Sequence, residues 1–414
     1  MSIYRAFSIN SVAVVIKMST LLILNKAIAI LIGPSGYATI SQLQNIVAIS
    51  LTSATAGLGG AAVKYTAEAD KSDKYLTYIL LVCVLSSLLT SALLIFFAKK
   101  LAADFDGQIE WFIYLLSFTL IFYVINTLAT SYLNGLQKLR LLVGVNIISS
   151  IFSLLYSLLF LYLWKLQGIL IAVVSNQAIT VFIVIYFCKK KELFPKFRIN
   201  YIVQKFEFDI VKKLLFFSLM VVIPSIIWPY TYINVRDLLT DKFGSHYAGN
   251  WDASWRLSTI YLTFITSVLS IYFLPKFAKC EDKKSLNSAV LEGLKFIFPV
   301  ALVSCSAIYL SRDIIINLLF SDEFNDMKQL FFWQVCGDFF KVVTWVVSYT
   351  LLAKAQTFRH IFVEVFFALS FYFFTFHFIS TMGFGGVAFS HFINNALMML
   401  VIAFIYRISK FKEA

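Results

Sequence analysis

Apolar stretches long enough to cross a bilayer follow one another almost without interruption along this chain, and no other sequence feature narrows the available folds so sharply. A spanning helix needs roughly 20 mostly apolar residues, and candidates fall at 9–32, 38–62, 76–98, 111–133, 142–164, 168–188, 213–234, 251–275, 293–311, 327–353, 361–380 and 387–406. Of the 414 residues, 60% are hydrophobic and only 14% charged, which excludes a soluble globular domain. No stretch between the candidates is long enough to fold by itself, so function is expected in the membrane or at its faces. The first stretch begins after a single Arg5 and lacks a small-residue cleavage site, so it reads as a retained helix. Cys83, Cys188, Cys280, Cys305 and Cys336 stand singly and suggest neither disulfides nor a metal site. The phosphate loop G-x-x-x-x-G-K-[ST] does not occur, so ATP is not the expected energy source and no cofactor is expected.

Lys and Arg set the expected orientation, because cationic loops stay cytoplasmic. With the N-terminus inside, twenty-three cations fall in cytoplasmic loops and only seven, Lys99, Lys100, Lys165, Arg236, Lys242, Arg312 and Lys328, fall outside. Both termini are then cytoplasmic and the number of spans is even. The net charge of +13 follows from this bias and from attraction to anionic lipid, and it calls for no nucleic acid.

A basic segment at 189–212 containing Pro195 divides the candidates six and six. It reads as a cytoplasmic linker between an N-terminal lobe, 1–188, and a C-terminal lobe, 213–414. Gly33-Pro34-Ser35-Gly36-Tyr37-Ala38 matches Gly244-Ser245-His246-Tyr247-Ala248-Gly249 at an offset near 210, and Gly168-Ile169-Leu170-Ile171-Ala172 matches Gly386-Val387-Ala388 at 218. The expectation is an all-α integral membrane protein, twelve helices in two six-helix lobes repeated in parallel around a central cavity, with a substrate path near the midplane.

Five cations fall inside the apolar spans: Lys17, Lys26, Arg256, Lys295 and Lys341. A charge there costs at least about 2.5 kcal/mol on insertion scales, so each is a functional candidate. At 1.5 Å per residue Lys17 and Lys341 lie roughly 12–20 Å from either end of their spans, too deep to snorkel. Lys26 and Arg256 lie within about 10 Å of the outer ends, where either a functional role or snorkelling accounts for them, and Lys295 lies at a cytoplasmic edge and reads as a snorkelling side chain. Gln334, Asp338, Lys341 and Trp345 recur at i, i+4, i+7 and i+11 on one face of the tenth span, beside Gly337 and Ser348. Two readings stand: an Asp338–Lys341 ion pair at i, i+3 that only joins helices, or a Lys341 that attracts an anionic substrate while Asp338 tunes it or exchanges a proton. In the eighth span Asp252 and Arg256 form an i, i+4 pair beside Trp255, which is either interfacial or a sugar platform. Gln42 and Asn45 in span two, and His391, Asn394 and Asn395 in span twelve, either join helices or line the path. Pro224 and Pro229 predict a kinked or broken seventh helix, a plausible gating element.

Asn25-Lys26-Ala27-Ile28-Ala29 with Gly33-Pro34-Ser35-Gly36, Gln42-Leu43-Gln44-Asn45 and Val63-Lys64-Tyr65-Thr66-Ala67-Glu68 resemble the N-terminal third of Wzx-type O-antigen flippases. So does Trp333-Gln334-Val335-Cys336-Gly337-Asp338-Phe339-Phe340-Lys341-Val342 followed by Leu352-Ala353-Lys354-Ala355, and the resemblance covers essentially the full length. It implies a member of the multidrug/oligosaccharidyl-lipid/polysaccharide exporter superfamily working by alternating access. The implied passenger is an undecaprenyl-diphosphate-linked oligosaccharide of lipopolysaccharide biosynthesis, moved from the cytoplasmic to the periplasmic leaflet of a Gram-negative inner membrane. The diphosphate would engage Lys17 and Lys341, with Arg256 and Lys26 as further cations, and the sugars would engage amides and aromatics. Membrane lipid and polymerase and chain-length proteins are the implied partners, and a proton or sodium ion acting through Asp338 the implied coupling.

Three other functions fit parts of the sequence. A translocase of the enterobacterial common antigen lipid carrier shares the same features. A cation-coupled drug exporter of the superfamily needs a predominantly acidic cavity, whereas deep cations outnumber deep carboxylates here. A membrane enzyme of polysaccharide assembly needs a cluster of catalytic carboxylates, His or Arg at one face, and none is present.

Overall fold

Backbone amides and carbonyls in lipid must be satisfied by the protein itself, so a chain this apolar has only helices or a closed barrel open to it. The computed structural model describes residues 3–67, 72–103, 109–193, 201, 206–280, 282–354 and 356–408, and among these there are helices and no strand. The helices are α1 (Ile3–Ala54), α2 (Gly59–Ala67), α3 (Ser72–Ala102), α4 (Glu110–Gly135), α5 (Leu139–Lys190), α6 (Phe208–Phe243), α7 (Ser245–Val268), α8 (Leu274–Lys279), α9 (Lys283–Leu310), α10 (Arg312–Leu319), α11 (Lys328–Ala353), α12 (Thr357–Met382) and α13 (Gly386–Ile408). A π-helical turn, Leu269–Phe273, joins α7 to α8.

Eight helical stretches among the described residues are long and apolar enough to cross a membrane. Three of these carry internal breaks, at Gly33 in α1, at Trp164 and Lys165 in α5, and at Gly383–Gly385 between α12 and α13. Each break lies in or beside a loop expected from the sequence. The segment expected as an eighth span, 251–275, is divided among α7, the π-helical turn Leu269–Phe273 and α8, and α7 by itself, with Asp252, Ser254, Arg256 and Ser258, is not among the eight. Large side chains such as Phe96, Phe118 and Phe358 stand more than 70% exposed, as a lipid-facing surface requires.

Packing divides the chain into two compact units, one of residues 1–27 and 39–229, the other of residues 28–38 and 230–414. The division falls between Pro229 and Tyr230, inside α6. That helix runs continuously through Pro224 and Pro229, so of the kinked or broken helix expected there, the break is excluded. Each proline removes one ladder hydrogen bond and crowds the preceding turn, which strains a helix without severing it. Of the expected linker at 189–212, residues 194–200 and 202–205 lie outside the described residues.

In the first unit α4 packs on α2, α3 and α5. Lys74 of α3 bonds Glu207, just ahead of α6, at 2.6 Å. In the second unit α11 is central and touches α7, α8, α9, α12 and α13. Residues 28–38 are held within this unit by close backbone approach. Pro34 presents its carbonyl oxygen 1.9 Å from where a Cβ on Gly249 would stand, so only glycine fits there. Arg256 lays its guanidinium over the Tyr37 ring, 4.7 Å from the centroid.

The backbone carries the internal repeat further than the sequence motifs do. Gly33 and Gly244 take the same unusual conformation, with φ of 76° and 93° and extended ψ. Lys165 (φ 47°, ψ −124°) and Gly383 (φ 64°, ψ −149°), 218 residues apart, likewise agree. Gly168 and Gly386, at the same offset, each face the carbonyl of the phenylalanine eight residues earlier. A Cβ would meet Phe160 O at 1.8 Å in one case and Phe378 O at 2.3 Å in the other. The turns therefore lie a few residues ahead of the glycines that mark them in the sequence, and those glycines serve close packing.

Lys165 holds a conformation that its counterpart Gly383 adopts without strain, and such conformations cost about 1–3 kcal/mol. Lys165→Gly is expected to stabilise the protein by about 1 kcal/mol after the entropy cost of glycine, read as a higher midpoint of thermal unfolding in detergent. Gly168→Ala is expected to lower that midpoint, because its methyl group meets backbone that cannot give way.

Candidate functional site

The polar face of α11 opens onto a cavity of about 320 Å³ within the second unit, and Gln334, Asp338, Lys341 and Trp345 all line it. Tyr232 of α6 and Trp255, Ser258 and Thr259 of α7 complete much of the wall. The helical period puts the four α11 residues on one face.

How the charge of Asp338 is met decides the chemistry of this cavity. Its side chain is fully buried. One carboxylate oxygen accepts a short hydrogen bond from the Tyr261 hydroxyl, and the other receives His391 Nε2 at 3.0 Å. Asn395 fixes the imidazole tautomer. Its Nδ2 donates to the His391 carbonyl oxygen at 2.7 Å, so the amide nitrogen faces the ring and also donates to Nδ1 at 3.1 Å. Nδ1 is therefore the acceptor and Nε2 carries the proton offered to Asp338. Gly337 makes this arrangement possible, since a Cβ there would stand 2.3 Å from His391 Cδ2. The ion pair of Asp338 with Lys341 anticipated by one reading of the sequence does not form. Asp338 pairs instead with His391 of α13 and accepts from Tyr261 of α7.

Lys341 has no carboxylate within ion-pairing distance among the described residues. Its ammonium lies over two indoles instead, 4.9 Å from the Trp255 ring and 5.3 Å from that of Trp345. A desolvated cation–π contact contributes about 2 kcal/mol, so two of them offset most of the roughly 2.5–3.5 kcal/mol that a charge costs at this depth. Trp255 is held in place by stacking on Phe371, with ring centroids 5.9 Å apart and planes at 29°. Gln334 donates to Ser258 Oγ at 3.2 Å, and its buried Oε1 has no partner. The cavity thus offers a positive charge, aromatic faces and an amide, and its one carboxylate is already engaged.

Other candidate residues lie elsewhere. Lys17 lines a second cavity, confined to the first unit, of about 640 Å³. Lys26 and Asn45 are half-buried and Gln42 is fully buried, and none of the three lines either cavity. Arg256 sits over Tyr37 and is not a lining residue. Asp252 was expected opposite Arg256, yet both its oxygens take hydrogen bonds from Arg236 at 2.6 Å. Arg236, read from the sequence as a loop cation, is 4% exposed and inside α6. Sequence reasoning missed Tyr261, whose hydroxyl is one among several in a run that also holds Ser258, Thr259, Thr263 and Thr266. It also missed a stripe on α5, Asn146, Ser149, Ser150, Ser153 and Ser157, whose helical spacing was there to be read.

Residues 27–329 match the family model described as "Polysaccharide biosynthesis protein". The chain belongs to that family. It is 25% identical over 376 residues to the "Lipid III flippase" of Escherichia coli (strain K12), and to that of Shigella flexneri, covering 88% of each chain. Among solved structures it is similar to a multidrug resistance MATE family transporter of the MOP superfamily in its inward-facing conformation, with a TM-score of 0.76, 13% identity, and coverage of 95% of this chain and 97% of the other. A MOP superfamily transporter from Pyrococcus furiosus Vc1 (DSM3638), described as having a binding pocket of reverse polarity, matches with a TM-score of 0.76 and 14% identity over 99% and 96%. This family member therefore has the all-α, two-lobe fold of MATE-type transporters and is a multi-pass membrane protein.

The Arg236–Asp252 pair is buried and bidentate, and removing one partner leaves the other as an uncompensated charge. Arg236→Met is expected to destabilise the protein by about 3–5 kcal/mol, while Arg236→Met with Asp252→Leu recovers most of that loss. Thermal unfolding of the three purified proteins in one detergent checks both expectations.

Proposed function

We propose that this protein is a flippase carrying an undecaprenyl-diphosphate-linked O-antigen repeat unit from the cytoplasmic to the periplasmic leaflet of a bacterial inner membrane by alternating access. The observation that carries the reading is the ammonium of Lys341, which lines a cavity with no carboxylate paired to it. An anionic oxygen about 4 Å away would gain about 4 kcal/mol at an effective dielectric constant of 20, and a cationic drug would be repelled by as much. Gln334 and the indole of Trp255 supply the hydrogen-bonding and stacking surfaces that a sugar next to a diphosphate needs. The family and the flippases among its relatives support transport over enzymatic chemistry.

In this proposal Asp338 is the coupling residue for a proton or sodium ion, and Pro224 and Pro229 mark the part of α6 that bends during the cycle. Lys17, Lys26 and Arg256 are further cations for the passenger, and Gln42 and Asn45 are polar contacts along its path. The lobes comprise 1–188 and 213–414, with both termini cytoplasmic, and polymerase and chain-length proteins act on the product. The relatives' name favours a lipid III passenger as the second reading. It keeps every residue in the same role.

Cells in which Lys341→Glu replaces the wild-type protein are expected to accumulate undecaprenyl-diphosphate-linked saccharide in the cytoplasmic leaflet at least about tenfold over wild type, with the protein still in the membrane. Wild-type translocation by that variant overturns the proposal. Mass spectrometry of the accumulated lipid decides between an O-antigen unit and lipid III.

A further inference from the structure

The larger cavity, in the first unit, is built for a different ligand chemistry from the one around Lys341. Four helical faces form it: Lys17 and Thr20 from α1, Asn126 and its neighbours from α4, the stripe from Asn146 to Ser157 in the first half of α5, and Asn176, Gln177 and Thr180 in the second half. Twelve of the sixteen lining residues are Ser, Thr, Asn or Gln and three are Leu. Lys17 is the remaining one, and none is acidic or aromatic. That composition disfavours a cation, a metal or an apolar drug.

The bonding state of the wall narrows the ligand further. Thr130 gives its hydroxyl proton to the backbone carbonyl of Asn126 at 2.9 Å, which leaves its oxygen able to accept, while Thr180 gives its proton to the Gln177 carbonyl at 3.1 Å and accepts from Asn126 Nδ2 at 3.4 Å. Asn126 Oδ1 and Ser149 Oγ have no partner at all. The side-chain amides of Asn146 and Gln177 line the space and make no hydrogen bond among the described residues, so they remain donors and acceptors for something else. Polar groups that only join membrane helices bond to one another across the contact. Here Asn126 Nδ2 donates to Thr180 Oγ1 at 3.4 Å and Ser153 Oγ to Asn176 Oδ1 at 2.7 Å, while the wall as a whole surrounds open space of about 640 Å³, within the range of small-molecule sites.

We infer that this cavity is a glycan pocket: it takes a sugar ring through its hydroxyl and amide groups, with an anionic oxygen beside that ring at Lys17. The inference rests on the flippase reading and adds to it a second, separate subsite within the first unit. The anionic oxygen can belong to the diphosphate at the reducing end or to a carboxylate on the glycan.

The test uses the purified full-length protein and two probes: bare undecaprenyl diphosphate, and the lipid-linked saccharide extracted from cells lacking this protein. Wild type is expected to bind the sugar-bearing lipid more tightly than the bare one. Asn146→Ala with Gln177→Ala is expected to lose about tenfold in affinity for the sugar-bearing lipid and none for the bare one, since two neutral hydrogen bonds contribute about that much. Neither amide bonds elsewhere among the described residues, so an unchanged unfolding temperature is expected alongside. If the double variant keeps the wild-type preference for sugar, the cavity is a solvent vestibule and the inference fails while the flippase reading stands. If wild type binds neither lipid, the flippase reading itself fails. Lys17→Gln separates the two anion sources. Loss for both lipids assigns Lys17 to the diphosphate, loss for the sugar-bearing lipid alone assigns it to an acidic sugar, and loss for neither removes Lys17 from the pocket.

Discussion

A carboxylate buried in the middle of a membrane unit has to be met by hydrogen-bond donors, and which donors meet Asp338 determines what the cavity beside it can bind. Tyr261 from α7 and His391 from α13 take its two oxygens, and Asn395 holds the imidazole in the tautomer that can donate. With Asp338 bonded to Tyr261 and His391, the lysine one helical turn away lies over two indole faces. The cavity therefore holds an acid tied into the packing and an ammonium that faces the rings. Asp338 and Lys341 carry opposite charges on the face of α11 that lines the cavity, and the hydrogen-bond geometry keeps them unpaired, so the ammonium stays open to an anion.

That geometry depends in turn on positions where a side chain is missing. Gly337 lets His391 come within reach of Asp338, and Gly249 lets the Pro34 carbonyl pack on α7. Gly168 and Gly386 let each returning helix close on the turn before it in the same way in both repeats. In lipid there is little hydrophobic force to press helices together, so close backbone contact through small residues carries more of the packing than it does in water. The repeat shows at these positions because the demand for a missing Cβ is the same in both halves, while lipid-facing residues are free to differ.

Much of this was legible in the sequence, and the exceptions have physical causes. The helical class and the polar face of α11 follow from period and hydropathy, which are local properties. The partners of Asp338 and Asp252 are not local. Lys341 and Arg256 sit one turn away from those acids and look like the natural partners, but Tyr261 and Arg236 reach them across helices with better geometry. Arg236 read as a loop cation because a charge near the end of an apolar run usually marks the end of a span, whereas α6 continues to Phe243. The hydroxyl stripe of α5 was overlooked for a different reason. Serine and threonine in a membrane helix usually bond their own backbone, so a run of them carries little signal until the space in front of them is seen.

In the proposed function, Asp338 would link the binding of an anion to any event that changes its own partners. Held by Tyr261 and His391, it leaves the charge of Lys341 available to a ligand. Released from either donor, it would have a free oxygen one turn from that ammonium, and an i, i+3 pair would draw the lysine off the indoles and withdraw the charge an anion needs. The two arrangements compete for one carboxylate, and that competition is a physical means by which a proton or cation arriving at the acid could alter affinity at the lysine without touching the ligand. Since α7, α11 and α13 each contribute one member of the network, a shift of any of these helices against the others changes the same balance. In the proposed function, binding and helix movement would be coupled through Asp338.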